Sequence, residues 1–247
     1  MEIIQKAGAS LDAISEGELV SHPGLAPLYS YMQTYCEKGL RAVIDKKAFS
    51  ASAVESYSMG VLGKVSELDN SIVSLSLACR FILDLAREES PKAAIYRYHY
   101  ENFVLRVVGV VDRAYRLAGQ SLLLPSSKVN AVRGNFFVQQ HVQSEHPGVC
   151  AALQELVTVV DAYKGPRNEL IHEAAYSDKS LGVFDAIERF DMDTGSISVE
   201  DAKKEYSVAG VSEVVGTLVL VVSSLNGLLD NLSPFYQRAR DFVASAP

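Results

Sequence analysis

The chain has 247 residues, 48 % of them hydrophobic and 21 % charged, the make-up of a globular protein with a sizeable core, which excludes wholesale disorder. A net charge of −7 excludes a protein that coats nucleic acid through a global positive field, while leaving room for a local basic site. Three widely spaced cysteines, Cys36, Cys79 and Cys150, fit neither a disulfide framework nor a zinc site, so a reducing, cytoplasmic setting is expected.

The first 25 residues, ending in "SHPGLAP", read as an N-terminal arm or short helix followed by a loop. They carry acids and lack a basic region leading into an apolar one, so no secretion signal is expected. Residues 26–247 are expected to form a single helical-bundle domain. Over 28–49, Tyr31, Tyr35, Leu40 and Ile44 recur near a helical period. Over 55–89, Val61, Leu62, Val65, Leu68, Ile72, Leu75, Cys79, Ile82 and Leu85 keep that spacing and predict one long amphipathic helix, with a break near Gly60 and Gly63 left open.

The next helix is expected to open with Ser90 as N-cap and Pro91 at its first position, and to stop at Gly119. Its polar residues His99, Asn102, Arg106 and Arg113 fall within about 60° of one another at about 100° per residue. Such a stripe on an apolar helix faces either solvent or a polar cleft. Glu101 lies nearly opposite, as an ion-pair partner for Arg97.

Helices follow at 126–144, 147–163 and 166–176. Residues 181–200 are open between a short helix and a small hairpin turned by Asp193-Thr194-Gly195. A last long helix covers 202–231, with Val211, Val214, Val215, Leu218, Val222, Leu225 and Leu229 as its stripe, and a short terminal helix ends the chain. Its most apolar run, 214–222, is far short of the roughly 20 residues of a membrane span, so no membrane helix is expected. The fold class is therefore all-α, an antiparallel bundle of about 6–8 helices joined by short loops. Valine is a poor helix former, so burial must hold these helices together.

One stretch carries candidate chemistry. "KGPRNELIHEAAY" spans 164–176. Pro166 suits a first helical position, which puts Arg167 in the first turn and His172 a turn and a half later. Asn168 and His172 share a face, with Leu170 and Ile171 toward a core. The arginine can curl past the helix start toward the histidine, where backbone N–H groups add to the attraction for an anion. An imidazole titrating near neutrality can move the proton of a 2′-hydroxyl or of a leaving oxygen, and a guanidinium can neutralise charge building on phosphorus. With 12 arginines and 5 histidines in the chain, Arg-x4-His is expected by chance about 0.24 times, and roughly 0.007 times with asparagine after the arginine. The competing reading has Arg167 capping a neighbouring helix and His172 as a satisfied, half-buried side chain.

"RNELIH" resembles the Arg-x4–6-His signature of the HEPN superfamily of helical bundles, and "YHYENFVLRVVGVVD" is similar to a second signature helix of some of its branches. The resemblance extends loosely over 60–232. It implies a homodimer that cleaves RNA without a metal or other cofactor, as a toxin or in phage defence, with the paired motifs lining one cleft. Arg167 and His172 are then catalytic and Asn168 orients the site, while Arg106, Asn102, Lys164 and His99 are candidates for binding the RNA. An antitoxin or other regulatory protein is an implied partner. One subgroup has tyrosine two residues after the histidine, where this chain has Ala174 and brings Tyr176 two residues later. The rival function is a non-catalytic HEPN-like dimer that binds a nucleotide, RNA or a partner protein.

Metal sites are not expected. Glu169 and His172 spell a di-iron half-site, but none of His22, His99, His141 or His146 has a glutamate three residues before it. His141 and His146 flank Glu145, yet Pro147 follows at once, so the pair straddles a helix end. "DMDTG" at 191–195 lacks the ligand spacing of a calcium loop.

Overall fold

A computed structural model describes residues 2–14, 17–89, 91–172 and 179–245. They are all-α. Eleven α-helices occur among the described residues: α1 (Glu2–Ala13), α2 (Ala26–Asp45), α3 (Ala53–Arg87), α4 (Ala93–Ser121), α5 (Ser126–Val129), α6 (Gly134–Glu145), α7 (Pro147–Val159), α8 (Lys164–His172), α9 (Lys179–Phe190), α10 (Val199–Gln237) and α11 (Ala239–Ser245), with 3-10 turns at Pro23–Leu25 and Asp161–Tyr163.

The nine apolar residues of the 55–89 pattern and the seven of the 202–231 pattern are all buried, so the period predicted both the helices and the faces they bury. α3 runs unbroken through Gly60 and Gly63, since one glycine costs only about 1 kcal/mol of propensity against a stripe of buried side chains. A capping box starts it: the Ser52 N–H donates to Glu55 Oε2 at 2.8 Å, and the Glu55 N–H points at Ser52 Oγ at 3.4 Å.

Several boundaries differ from the sequence expectation. α4 begins at Ala93 and continues past Gly119 to Ser121; the proposed N-cap, Ser90, lies outside the described residues. Gly119 is a packing residue rather than a stop, because a Cβ there would sit 2.7 Å from Val129 Cγ2. The 126–144 segment is two helices, α5 and α6. Residues 181–190 are helical, within α9, and Asp193 closes the following turn by accepting the Gly195 N–H at 2.9 Å. α2 forms as expected, but only Leu28 of it is buried, and Leu40 and Ile44 are 63 % and 68 % exposed.

Contacts group the chain into two compact units: Met1–Ser15 with Ser71–Gly109 and Thr158–Val222, and Glu16–Asn70 with Val110–Val157 and Ser223–Pro247. Residues 26–247, expected as one domain, contribute to both. The expected arm contains α1, which packs in the first unit through buried Ala7 and Leu11 and the Arg80–Asp12 ion pair at 2.9 Å.

In the first unit the core comes from Leu75, Ile82, Phe103, Val107, Val214 and Leu218. α9 is tied to it by two ion pairs, Arg97 with Asp185 and Lys203 with Glu188. Arg97 thus pairs across helices, not with Glu101 as the sequence suggested. In the second unit Tyr57 donates its hydroxyl to the Ser121 carbonyl at 2.9 Å and Ser121 Oγ meets the Tyr236 hydroxyl at 2.7 Å. Burial raises both tyrosines' pKa values, so these hydroxyls stay neutral. By length and composition alone α10 could cross a membrane; half of its most apolar window is buried in the fold.

Candidate functional site

The site begins at Tyr163. Its ring is buried and meets Phe103 edge-on at 5.5 Å, and its hydroxyl contacts Thr217 Oγ1 at 3.0 Å. Tyr163 therefore fixes the chain to α4 and α10 immediately before α8. Burial first, with Glu213 and Cys79 adding to it, drives the phenol's pKa up despite the Thr217 bond, so Tyr163 serves as an anchor and not as a titrating group.

From that anchor α8 runs Lys164 to His172, two residues earlier than the Gly-Pro break suggested. Gly165 and Pro166 lie in its first turn, where a missing N–H leaves no intrahelical bond unmade. No residue of α8 is buried. Leu170 and Ile171, expected to face a core, do not: Leu170 is half-buried and Ile171 is 48 % exposed. The expected continuation over 173–176, with Ala174 and Tyr176, lies outside the described residues.

Arg167 is half-buried, and its Nη1 donates to Asn168 Oδ1 at 3.3 Å. That bond is worth little in energy but sets a direction. Asn168 and His172, four apart, share one helix face, and the guanidinium is bonded to the first of them. His172 is exposed. Among the described residues no ion pair occupies Arg167 and no hydrogen bond occupies His172.

The five histidines separate by environment. His22 is buried; its Nδ1 accepts the Gly24 N–H at 3.1 Å and its Nε2 faces Asp230 at 3.3 Å, a fully satisfied structural pair. His99 is half-buried and stacked on Phe81 at 4.3 Å, and burial lowers its pKa. His146 is lowered by burial first and by His141 second, against Glu145. His172 alone among them is exposed.

On the polar stripe of α4 no member is fully buried: Arg106 is exposed, and His99, Asn102 and Arg113 are half-buried. Arg106 donates to Asn102 Oδ1 at 3.3 Å, while Asn102 Nδ2 donates to the Tyr98 carbonyl at 2.8 Å. Lys164 pairs with Asp161 at 2.8 Å, an exposed contact of the kind worth under about 1 kcal/mol. The predicted residues thus form four local groups, Arg167 with Asn168, His172, Arg106 with Asn102, and His99 with Phe81, besides the Lys164 pair. Among the described residues no hydrogen bond or ion pair links one group to another. Sequence reasoning missed Tyr163 as the positioning residue; its place one residue before the motif, in an otherwise polar stretch, was the available signal. Set against protein-family models, curated proteins and solved structures, the chain matches none.

Proposed function

We propose that the chain is a metal-independent endoribonuclease of the HEPN type, working as a homodimer in which the two copies of α8 line one cleft. The 2′-hydroxyl of an RNA nucleotide attacks the adjacent phosphorus as its proton passes to one His172. The 5′-oxygen leaves with a proton from His172 of the partner subunit, giving a 2′,3′-cyclic phosphate. Arg167 neutralises the charge that builds on the phosphorane, and Asn168 orients it. Arg106, Asn102, His99 and Lys164 bind flanking phosphate and sugar. A toxin or phage-defence role in the cytoplasm, restrained by a partner protein, suits such an activity.

The observation that carries this reading is the half-buried Arg167, bonded to Asn168 on the same helix as an exposed His172, with no carboxylate paired to it among the described residues. A second point supports the dimer. Among its described residues α8 has none buried, and most helical stability in proteins comes from packing an apolar face, so a second copy covering α8 would add burial.

The test is cleavage of end-labelled RNA in EDTA. Wild type is expected to yield cyclic-phosphate ends, and His172→Ala or Arg167→Ala to lower the rate by about 10²–10⁴. Because His172 is exposed, its substitution should shift stability by no more than about 0.5 kcal/mol. Intact RNA with wild type would refute the nuclease. The net charge of −7 favours a second reading, a non-catalytic binder of RNA, a nucleotide or a protein. That reading predicts an RNA gel shift without cleavage, lost in Arg167→Ala.

A further inference from the structure

His141, Glu145 and His146 lie at the junction of α6 and α7, apart from α8. Four-residue spacing puts His141 and Glu145 on one face of α6, with Nδ1 and Oε1 3.6 Å apart. Glu145 is the last residue of α6, and His146 caps it with φ −136° and ψ 67°. The chain therefore leaves the helical path at His146 itself, and α7 starts at once with Pro147. The departure turns the His146 ring back over the preceding turn, 5.7 Å from the ring of His141. One ligand atom from each of the three side chains then lies within 4.8 Å of the other two. Proline after the pair, which in the sequence argued against a shared site, is what ends the helix and lets the two imidazoles meet.

We infer that His141, Glu145 and His146 form a binding site for a divalent ion of the zinc class. The donor set, two imidazoles and one carboxylate, is a recurrent one for zinc and its neighbours, whereas calcium and magnesium prefer oxygen alone. A tetrahedral ion with bonds of about 2.0–2.1 Å holds its donors about 3.4 Å apart. The His141–Glu145 separation already matches that spacing, and the remaining closure needs only side-chain rotation. Glu145 is exposed and both imidazoles are half-buried, so those rotations are open. The ring of Phe235 meets His146 edge-on at 5.2 Å and limits that imidazole's freedom, as an apolar wall beside a ligand does. The end of α6 adds the partial negative charge of a helix C-terminus. Three protein ligands leave a fourth position for water or an anion.

The experiment uses the full chain carrying Cys36→Ser, because Cys36 is an exposed free thiol and would itself bind zinc. After treatment with chelator, zinc chloride is titrated calorimetrically, and cobalt chloride is titrated while the visible absorption of the bound ion is followed. One ion per chain with a dissociation constant in the micromolar range is expected, while magnesium and calcium chlorides give no heat. His141→Asn and His146→Asn should each abolish the site, and Glu145→Gln should weaken it at least tenfold. His172→Ala, which removes a histidine outside the site, should leave zinc binding unchanged. No zinc binding up to millimolar concentration, or equal stoichiometry and affinity in the His141→Asn/His146→Asn double variant, would overturn the assignment. Circular dichroism of each variant, unchanged from the parent, ensures that lost binding reports the ligands and not the fold.

Discussion

Asp69 offers the sharpest test of how the second unit holds its shape. Its carboxylate accepts the Leu19 N–H at 3.1 Å and the Val20 N–H at 2.9 Å, the first bond buried and the second partly so. Through them one side chain of α3 pins the loop leading to α2, and Val20 and Ser21 of that loop line a groove of about 690 Å³ with Tyr29, Met32, Met59 and Leu62. Asp69→Ala leaves two amides without an acceptor. A buried donor stripped of its partner costs about 1–3 kcal/mol, with Leu19 toward the upper end and the half-wetted Val20 toward the lower, so the total is about 2–5 kcal/mol. For a chain of this size each kcal/mol moves the melting temperature by about 2–4 °C, which predicts a fall of about 4–20 °C. Asp69→Asn should lose roughly half as much, since the amide offers one oxygen to one N–H and turns its NH₂ to the other. Asp84→Ala, on the same helix, is the internal control, because its contact with Arg87 is a surface pair and should cost less than about 1 kcal/mol. The assay is urea unfolding, with the midpoint shifting at constant slope. If Asp69→Ala and Asp84→Ala unfold at the same urea concentration, the two amides are not held by this carboxylate and the reasoning fails.

Two further perturbations follow from the packing. Lys38, followed by the Ser52 N–H, lowers the pKa of Glu55; its folded value is depressed, so its contribution is present above the ordinary carboxylate range, near pH 4.3, and is lost as pH falls through the folded value. Urea midpoints of wild type and Glu55→Gln should therefore differ at pH 7 and converge toward pH 2, and a gap that stays constant across that range contradicts the assignment. At Gly210 a Cβ would collide with the Tyr96 hydroxyl, so Gly210→Ala should destabilise by about 1–3 kcal/mol through overpacking. Combining it with Tyr96→Phe should be non-additive by about 1 kcal/mol in a double-mutant cycle, and strict additivity would show that the two positions do not meet.

What could be read in advance divides along physical lines. Leu75, Cys79 and Ile82 on α3, or Val214, Leu218 and Leu225 on α10, recur at the helical period, and a side chain's angular position on a helix is fixed by its own local geometry. The same rule says less at α2: it marks the helix that forms, yet Leu40 and Ile44 stay exposed, because periodicity marks a face and cannot say whether another element covers it. Ambiguity at 181–190 had a similar source. The α9 helix is held by Arg97 and Lys203, partners from α4 and α10 that no local window contains.

For the candidate site, the sequence located Arg167, Asn168 and His172 on one short helix, since their spacing is a property of that helix alone. By itself it also determined the all-α class and the buried faces of α3 and α10, because helix period and apolar spacing are local quantities. Only the tertiary structure decided that α8 is anchored through Tyr163 with none of its described residues fully buried, that Arg97 answers Asp185, and that the turn at His146 gathers two imidazoles and a carboxylate. Those outcomes depend on how the backbone bends between helices and on which surfaces meet, and such encounters are fixed by the packing of the whole chain.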